Sequence, residues 1–282
     1  MQSVVVTGVS TGIGLAITKV LIQKGFRVFG SVRKTQDAER LSKEFGSNFV
    51  HLIFDVTDEP AVQAAAQQVR EQLNGETLFG LVNNAGIAVP APLIHMPTDE
   101  FRHQLEVNLV SVLIVTKAFV PLLGVDHSLR GKPGRIINIS SVGGKIGGPF
   151  LGPYAASKHG LEGFSESLRR ELMLYGIDVI IIGPGSVATP IWDKAEQADI
   201  SMYDGTDYVE AARRVQKYMI NDGRKGYPPE KVGEVVYQAL TTQTPRVRYS
   251  VIPGSSFRRI IQMLLPKRVV DRIIARNLGF IK

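Results

Sequence analysis

A serine, a tyrosine and a lysine lie close together near the middle of this chain, and their types and spacing suit proton transfer. The stretch begins Ser141-Val142-Gly143-Gly144, passes a Gly/Pro-rich approach, and reaches Tyr154-Ala155-Ala156-Ser157-Lys158. The last five residues open an amphipathic pattern that predicts a helix to about Tyr175, with Gly176 as its C-cap. On that helix Tyr154 and Lys158 are i and i+4, so phenol and ammonium leave the same face. A cation held there favours phenolate over phenol and draws the tyrosine pKa toward working pH. Ser141 follows an apolar run, 135–140, that predicts a strand, and it precedes a glycine-rich loop. Its hydroxyl is then placed to meet the tyrosine over one substrate oxygen. Taken alone, the five-residue pattern fits equally an ordinary helix start with a surface lysine.

Such side chains need a frame, and the N-terminus supplies its first part. Residues 3–14 run Ser3-Val4-Val5-Val6-Thr7-Gly8-Val9-Ser10-Thr11-Gly12-Ile13-Gly14 and lead at once into Leu15-Ala16-Ile17-Thr18. Strand, glycine turn and helix in that order aim backbone N–H groups at a pyrophosphate. The glycines fall at 8, 12 and 14 rather than in G-x-G-x-x-G order. Further on come Asn83-Asn84-Ala85-Gly86 after a fourth strand, Asn108 in the next helix, and Pro184-Gly185 at a later strand end. With Ser141, Tyr154 and Lys158, this set resembles the short-chain dehydrogenase/reductase family, in the family's order and over roughly residues 2–252.

The resemblance implies an α/β fold: a single doubly wound Rossmann domain with a mostly parallel, about seven-stranded sheet. It implies catalytic roles for Ser141, Tyr154, Lys158 and Asn108. In the family, the lysine also holds the nicotinamide ribose, and the asparagine position holds a water that links the lysine to solvent. A buried amide making a purely structural bond is the other account of Asn108. Cofactor contacts implied in the same way are Gly8, Ser10, Gly12, Ile13 and Gly14 in the turn, Arg33 after the second strand, and Asp55 and Val56 after the third. Asn84, Gly86, Pro184, Gly185, Val187 and Thr189 complete them beside Tyr154 and Lys158. Asp55 matches the adenine contact, while Thr57-Asp58 also reads as a helix start.

Patterning agrees with the fold so implied. Strands are predicted at 3–7, 27–32, 49–54, 78–83, 135–140, 178–182 and 247–252, and helices at 13–24, 35–45, 58–73, 98–122 and 153–175. Alternation of this kind gives right-handed crossovers and a parallel sheet covered on both faces. Val179-Ile180-Ile181-Ile182 is apolar on both sides, as a covered strand requires. Gly8–Gly14, Asn83–Gly86, Ser141 and Pro184-Gly185 all follow strands directly, so they converge on one crevice at the C-terminal strand ends.

Composition sets limits. The chain has 282 residues, 44% of them hydrophobic, enough for one large core. It has no cysteine, which excludes disulfides, a thiolate nucleophile and Cys-ligated zinc, and fits a reducing, cytoplasmic setting. Its five histidines lack metal-ligand spacing. No apolar run is expected to reach the ~18 residues of a membrane span, and the first strand leaves no room for a signal peptide. The net charge of +7 does not indicate nucleic acid, because residues 255–282 hold +6 of it.

The second strand bears on the cofactor. An NAD-selective site places an acid at its end, where a carboxylate binds the ribose hydroxyls and repels a 2′-phosphate. Here the end reads Phe29-Gly30-Ser31-Val32-Arg33-Lys34. Arg33 can fork onto a 2′-phosphate with Ser10 assisting, so NADP(H) is expected. A solvated basic turn is the plain alternative.

Two segments fall outside the core pattern. Residues 186–228 are long for a connection and carry Ile191, Trp192, Ile200, Met202, Tyr203 and Tyr208, which suits a lid over an apolar substrate. An exposed helical pair is the alternative. From Ser255 two amphipathic helices are expected, one over Phe257, Ile260, Ile261, Leu264 and Leu265, and one after Pro266. They pack on the domain or a sister subunit, or lie weakly on an anionic membrane surface. The chain accordingly divides into a catalytic domain, 1–254, and a basic helical extension, 255–282.

The expected activity is NADP(H)-linked interconversion of a carbonyl and an alcohol, in a homodimer or homotetramer. The loop glycines after Ser141, the run His159-Gly160-Leu161-Glu162-Gly163 and Leu265-Pro266 resemble the hydroxysteroid and retinol dehydrogenase branch, which implies a lipophilic substrate. Small ketones and 3-oxoacyl thioesters are the alternatives within the fold. A non-catalytic NADP(H)-sensing protein is the alternative outside enzymes.

Overall fold

Seven strands lie parallel in one sheet in a computed structural model that describes residues 1–197, 199–252 and 266–281. They are β1 Ser3–Val6, β2 Arg27–Val32, β3 Phe49–Ile53, β4 Gly80–Asn83, β5 Arg135–Ile139, β6 Asp178–Pro184 and β7 Arg248–Val251. Their order across the sheet is β3-β2-β1-β4-β5-β6-β7. The order reverses between β1 and β4, so a crevice opens beyond the ends of those two strands. The sheet is wholly parallel, where a mostly parallel one was expected.

Alternate residues of each strand feed opposite cores. Val5, Phe29, Leu81 and Ile136 pack with Val62, Val69, Ile114 and Phe119. Val4, Val6, Val28 and Ile137 pack with Ile17, Leu21, Val232 and Val236. The helices around the sheet are α1 Gly12–Gln23, α2 Thr35–Phe45, α3 Glu59–Gln72, α4 Thr98–Leu105, α5 Ser111–Phe119, α6 Gly152–Glu171, α7 Ile191–Glu196, α8 Val209–Arg224 and α9 Glu230–Thr241, and α1, α3, α5 and α9 supply these partners. Helix α10, Lys267–Leu278, follows Pro266. The first expected tail helix, around Phe257–Leu265, lies outside the described residues.

Local chemistry sets several boundaries. Asp58 caps α3 by accepting from the Ala61 amide at 3.1 Å. Helix α6 starts with Pro153 in its first turn, tightens into a 3-10 turn at Leu172–Tyr175, and ends at Gly176 in the left-handed region (φ 68°).

The helix expected at 98–122 is continuous but not uniform. A π-helical turn, Glu106–Val110, separates α4 from α5 and carries Asn108. Such turns insert a residue without breaking the helix, and they concentrate at functional sites. The run Thr98–Leu123 also departs from the expectation about apolar length. It contains an 18-residue window of mean hydropathy 1.7, long and apolar enough to cross a membrane by that test alone. Half of that window is buried inside this fold, as in a core helix.

A polar bridge joins the two central strands under the crevice. Asn83 Nδ2 donates to Asn138 Oδ1 at 2.9 Å, and Asn138 Nδ2 donates to Ser165 Oγ on α6 at 2.8 Å. All three side chains are buried. Replacing Asn138 with Ala leaves Asn83 Nδ2 with only Thr116 Oγ1, at 3.3 Å, and Ser165 Oγ with only its bond to the Leu161 carbonyl, and should destabilise the protein by about 1–3 kcal/mol. Urea denaturation measures this, and a variant as stable as wild type would remove the bridge from the list of structural supports.

Candidate active site

The glycine turn between β1 and α1 is built to bring main chain close to something else. Gly8 and Gly12 are left-handed, at φ 70° and 61°. A Cβ on Gly14 would collide with the Gly8 carbonyl and stand 2.5 Å from Asn84 Nδ2, so only glycine fits. No acidic residue lies in the first turn of α1, and Thr11 makes no side-chain capping bond to it. The first amides of the helix are thus presented as an anion would require.

The Asn84 side chain turns inward. Its Nδ2 donates to the carbonyls of Thr7 (2.8 Å) and Gly8 (3.2 Å), and Thr7 Oγ1 accepts from the amides of Asn84 and Ala85. The turn after β4 therefore clamps the glycine turn. Ile13 is half-buried against the core, and Ser31 Oγ accepts from the Gly8 amide at 3.0 Å.

Arg33 leaves the end of β2 into solvent, its side chain 75% exposed and Nη1 3.7 Å from Asp55 Oδ2. That ion pair is long and exposed, so it holds the guanidinium weakly. Asp55 is anchored from its own side, accepting from Thr57 N (3.0 Å) and Thr57 Oγ1 (2.8 Å). Burial raises its pKa, but the Thr57 bonds and Arg33 outweigh that and leave it below the ordinary value. Asp58 thus takes the helix-start role read in this segment, and Val56 is buried between the two acids. Arg40 is a neighbour that sequence reasoning missed. From α2 its Nη2 donates to the Ser10 carbonyl at 2.7 Å. The signal was there: the predicted helix 35–45 begins directly after Arg33-Lys34 and carries Arg40 back over the turn.

Ser141, Tyr154 and Lys158 come together beyond the end of β5. Ser141 Oγ caps a 3-10 turn, Val142–Gly144, by accepting from the Gly143 amide at 3.0 Å, and it also meets the Tyr154 hydroxyl. A Cβ on Gly143 would stand 3.1 Å from the tyrosine ring, which accounts for the first loop glycine. Lys158 is buried at 5% exposure, and its Nζ donates to the Ile139 carbonyl at 2.9 Å.

The electrostatics differ from the sequence expectation. Burial pushes the Tyr154 pKa above 10, opposed by the Ser141 bond, and Lys158 does not draw it down. The lysine ammonium is engaged by a strand-end carbonyl, 5.9 Å from the ring centroid. It is itself desolvated, which lowers its pKa to about 8 even though Glu162 pulls it upward. In this arrangement the phenol stays protonated and is poised as an acid.

Asn108 sits behind them. Its Oδ1 accepts from the Ile87 amide (2.8 Å), while Nδ2 donates to the Ile87 carbonyl (2.9 Å) and to Ser157 Oγ (3.1 Å). Ser157 Oγ in turn donates to the Tyr154 carbonyl at 2.8 Å. The side chain is therefore fully bonded within the protein, matching the structural account of a buried amide. Gly86 fills the narrow space between, where a Cβ would be 3.1 Å from Asn108 Oδ1 and 3.8 Å from Lys158 Nζ.

The other wall comes from the end of β6. The Gly185 amide donates to the Val251 carbonyl at 2.8 Å, next to Pro184. Val187 is buried and bridges to Tyr227. Thr189 lies over the glycine turn, 3.7 Å from where a Gly12 Cβ would be. Residues beyond form a packed helical pair, α7 against α8. Trp192 lies on Gly223 and donates to the Val187 carbonyl at 2.7 Å. Tyr203, Ala211, Ala212 and Val215 form a separate apolar cluster with Ala91 and Phe150. Phe280, just after α10, stacks on Phe150 at 6.3 Å between centroids and meets Tyr208 edge-on at 6.1 Å.

Comparison with known proteins agrees with this architecture. Residues 2–200 match the family model described as short chain dehydrogenase. An NADPH-dependent 3-dehydrocapnine reductase of Ornithobacterium rhinotracheale is 39% identical over 278 residues, covering 99% of this chain and 98% of the relative. Mouse retinol dehydrogenase 16 is 32% identical over 285 residues, covering 96% of this chain and 87% of the relative. A Streptomyces avermitilis short-chain dehydrogenase crystal structure shares the fold at TM-score 0.76 and 22% identity, over 99% of this chain and 97% of that one.

The buried lysine leaves a signature in stability. Its folded pKa of about 8 lies below the ordinary 10.5, so between them the unfolded chain binds a proton that the native state does not. Stability should then rise with pH through this window. Lys158→Met should abolish that rise. Urea unfolding of both proteins between about pH 7 and 10 measures the difference, before the raised Tyr154 begins to act in the opposite sense. A difference flat in pH would mean that the lysine is not desolvated in this way.

Proposed function

This chain belongs to the short-chain dehydrogenase family, with retinol and hydroxysteroid dehydrogenases among its relatives, and we propose that it is an NADP(H)-dependent oxidoreductase interconverting a carbonyl and an alcohol. The observation that carries the proposal is the meeting of the Ser141 and Tyr154 hydroxyls with Lys158 buried one turn on.

The residues present fit a dinucleotide. Two left-handed glycines, a third with no room for a Cβ, and an uncapped helix start suit a pyrophosphate. Val32 stands where a selective acid would lie, and the exposed Arg33 is available to fork onto a 2′-phosphate. The NADPH dependence named for the 39% identical reductase supports the same choice. When bound, this cofactor supplies the hydride.

The chain's own side chains do the rest. Tyr154, kept protonated by burial, donates its proton to the carbonyl oxygen as the alcohol forms. Ser141 bonds that oxygen and stabilises its developing charge. Lys158, its Nζ beside the tyrosine ring, would hold a ribose hydroxyl of the cofactor. Asn108, fixed by Ile87 and Ser157, braces the tyrosine's turn of helix and lies on the route by which the lysine regains a proton. Thr189, over the glycine turn, would hold the carboxamide side of the cofactor. The segment 186–228 serves as a lid, and its apolar cluster with Phe150 and Phe280 favours a lipophilic substrate. The domain of 1–254 carries the chemistry, and from the basic extension of 255–282 Phe280 reaches back to Phe150 and Tyr208. The exposed Val110 and Leu113 leave the α5 face available for a homo-oligomer contact.

Tyr154→Phe should lower kcat about a hundredfold or more with little change in cofactor affinity, measured with NADPH and a panel of ketones and aldehydes of graded size. Activity within a few-fold of wild type would sink the mechanism.

Arg33→Ala should weaken NADPH binding by about 2–3 kcal/mol, the scale of a charge-assisted bond, and leave NADH nearly unaffected. Dissociation constants for both cofactors decide it. Equal weakening of the two would remove Arg33 from the phosphate.

A further inference from the structure

Glu162 is a buried carboxylate that the mechanism above does not use. It lies one turn beyond Lys158 on α6, with its side chain only 6% exposed. Arg248, the first residue of β7, forks onto it: Nε lies 3.1 and 3.0 Å from the two carboxylate oxygens, and Nη2 3.1 Å from Oε1. The same Nη2 reaches the main-chain carbonyl of Ser141 at 3.4 Å, and Nη1 donates to Ser250 Oγ at 2.6 Å. Lys145, in the loop after Ser141, adds a second cation 3.1 Å from Oε2.

Two glycines keep the space for this pair. A Cβ on Gly183 would collide with the Arg248 guanidinium. One on Gly144 would stand 2.7 Å from Ser140 Oγ and 3.0 Å from Glu162 Cγ. The arrangement therefore draws on β5, its loop, α6, β6 and β7. An ion pair this buried is seldom more stable than well-packed apolar residues of the same volume, so stability alone does not account for it.

We propose that Glu162 and Arg248 form a positioning pair for the reaction centre: Arg248 fixes the main chain of Ser141, and Glu162 gives Lys158 its counter-charge. The inference rests on the catalytic reading of Ser141, Tyr154 and Lys158. Burial raises the Glu162 pKa, but contacts from Arg248, Ser140 and Lys145 outweigh it, so the carboxylate stays ionised. It is the group that pulls the Lys158 pKa upward against burial. Tyr154 is the other titratable group beside the lysine, and His159, Glu166 and Arg169 line the cleft on the outer side of the pair.

Glu162→Gln keeps the volume and removes the charge. Lys158 should then lose its proton at lower pH, moving the alkaline limb of the kcat profile down by about half a pH unit or more. We expect kcat to fall about tenfold at pH 7, and the KM for NADPH to change less than threefold. Arg248→Lys keeps the charge but loses the fork, so kcat should fall while the limb stays in place. Both variants are assayed with the ketone or aldehyde that the wild type reduces best. An unmoved limb in a folded Glu162→Gln protein overturns the counter-charge role. If that variant does not fold, Arg248→Lys with kcat within twofold of wild type overturns the pair as a positioning device. The wild-type rate and its loss in Tyr154→Phe are the control, because retained activity there would fault the catalytic reading and not the pair.

Discussion

A lysine ammonium buried at the end of a strand is the constraint that organises this site. Lys158 keeps 5% of its surface exposed, and water therefore does little to stabilise its charge. The protein must supply what water does not. One hydrogen bond comes from the Ile139 carbonyl, freed where β5 ends. A negative field comes from Glu162, itself held ionised by Arg248 and Lys145. These dependencies tie α6 to β5, β6 and β7, and they leave glycine at 86, 144 and 183, where a side chain would meet Asn108, Glu162 or Arg248.

The same packing fixes the tyrosine. Its hydroxyl is kept neutral by burial and oriented by Ser141, while its carbonyl is tied through Ser157 to Asn108. Asn108 lies in a π-helical turn, and the amide bonds both sides of the Ile87 peptide. The one-residue insertion of a π turn changes the direction of the helix face there, and from it Asn108 reaches Ser157 and so the tyrosine's carbonyl. Helices hold Tyr154, Ser157 and Asn108, and Ser141 stands just past the end of β5 at the cap of a 3-10 turn, as geometry-sensitive proton transfer demands.

The opposite wall is built differently. Residues 186–228 pack mostly on themselves, with Trp192 against Gly223 and Tyr203 among the alanines of α8. Their link to the catalytic loop runs through an aromatic group, Phe150, Tyr208 and Phe280, drawn from three distant parts of the chain. Phe150 adopts φ 65°, costly for a residue with a side chain, and its carbonyl accepts from the Ala91 amide at 2.8 Å. The segment is thus a packed pair of helices that also faces the catalytic loop.

What could be read from the chain was whatever depends on neighbours in sequence. Alternating strands and helices, the glycine turn, the i, i+4 placement of Tyr154 and Lys158, and the Gly176 stop are local patterns, each with a short-range steric or hydrogen-bonding cause. They were enough for the parallel sheet and for the convergence of its strand ends. Long-range pairing decided the rest. Asn84 turned inward because Thr7 and Gly8 lie beside it only in the folded sheet. Arg40 reached Ser10 across thirty positions, and Arg248 reached Glu162 across eighty-six. The tyrosine pKa moved up rather than down because burial, which no spacing rule carries, outweighed the Ser141 bond, while the lysine one turn on does not draw it down. Charge and spacing are written along the chain, but the dielectric around a group exists only once the chain has closed over it.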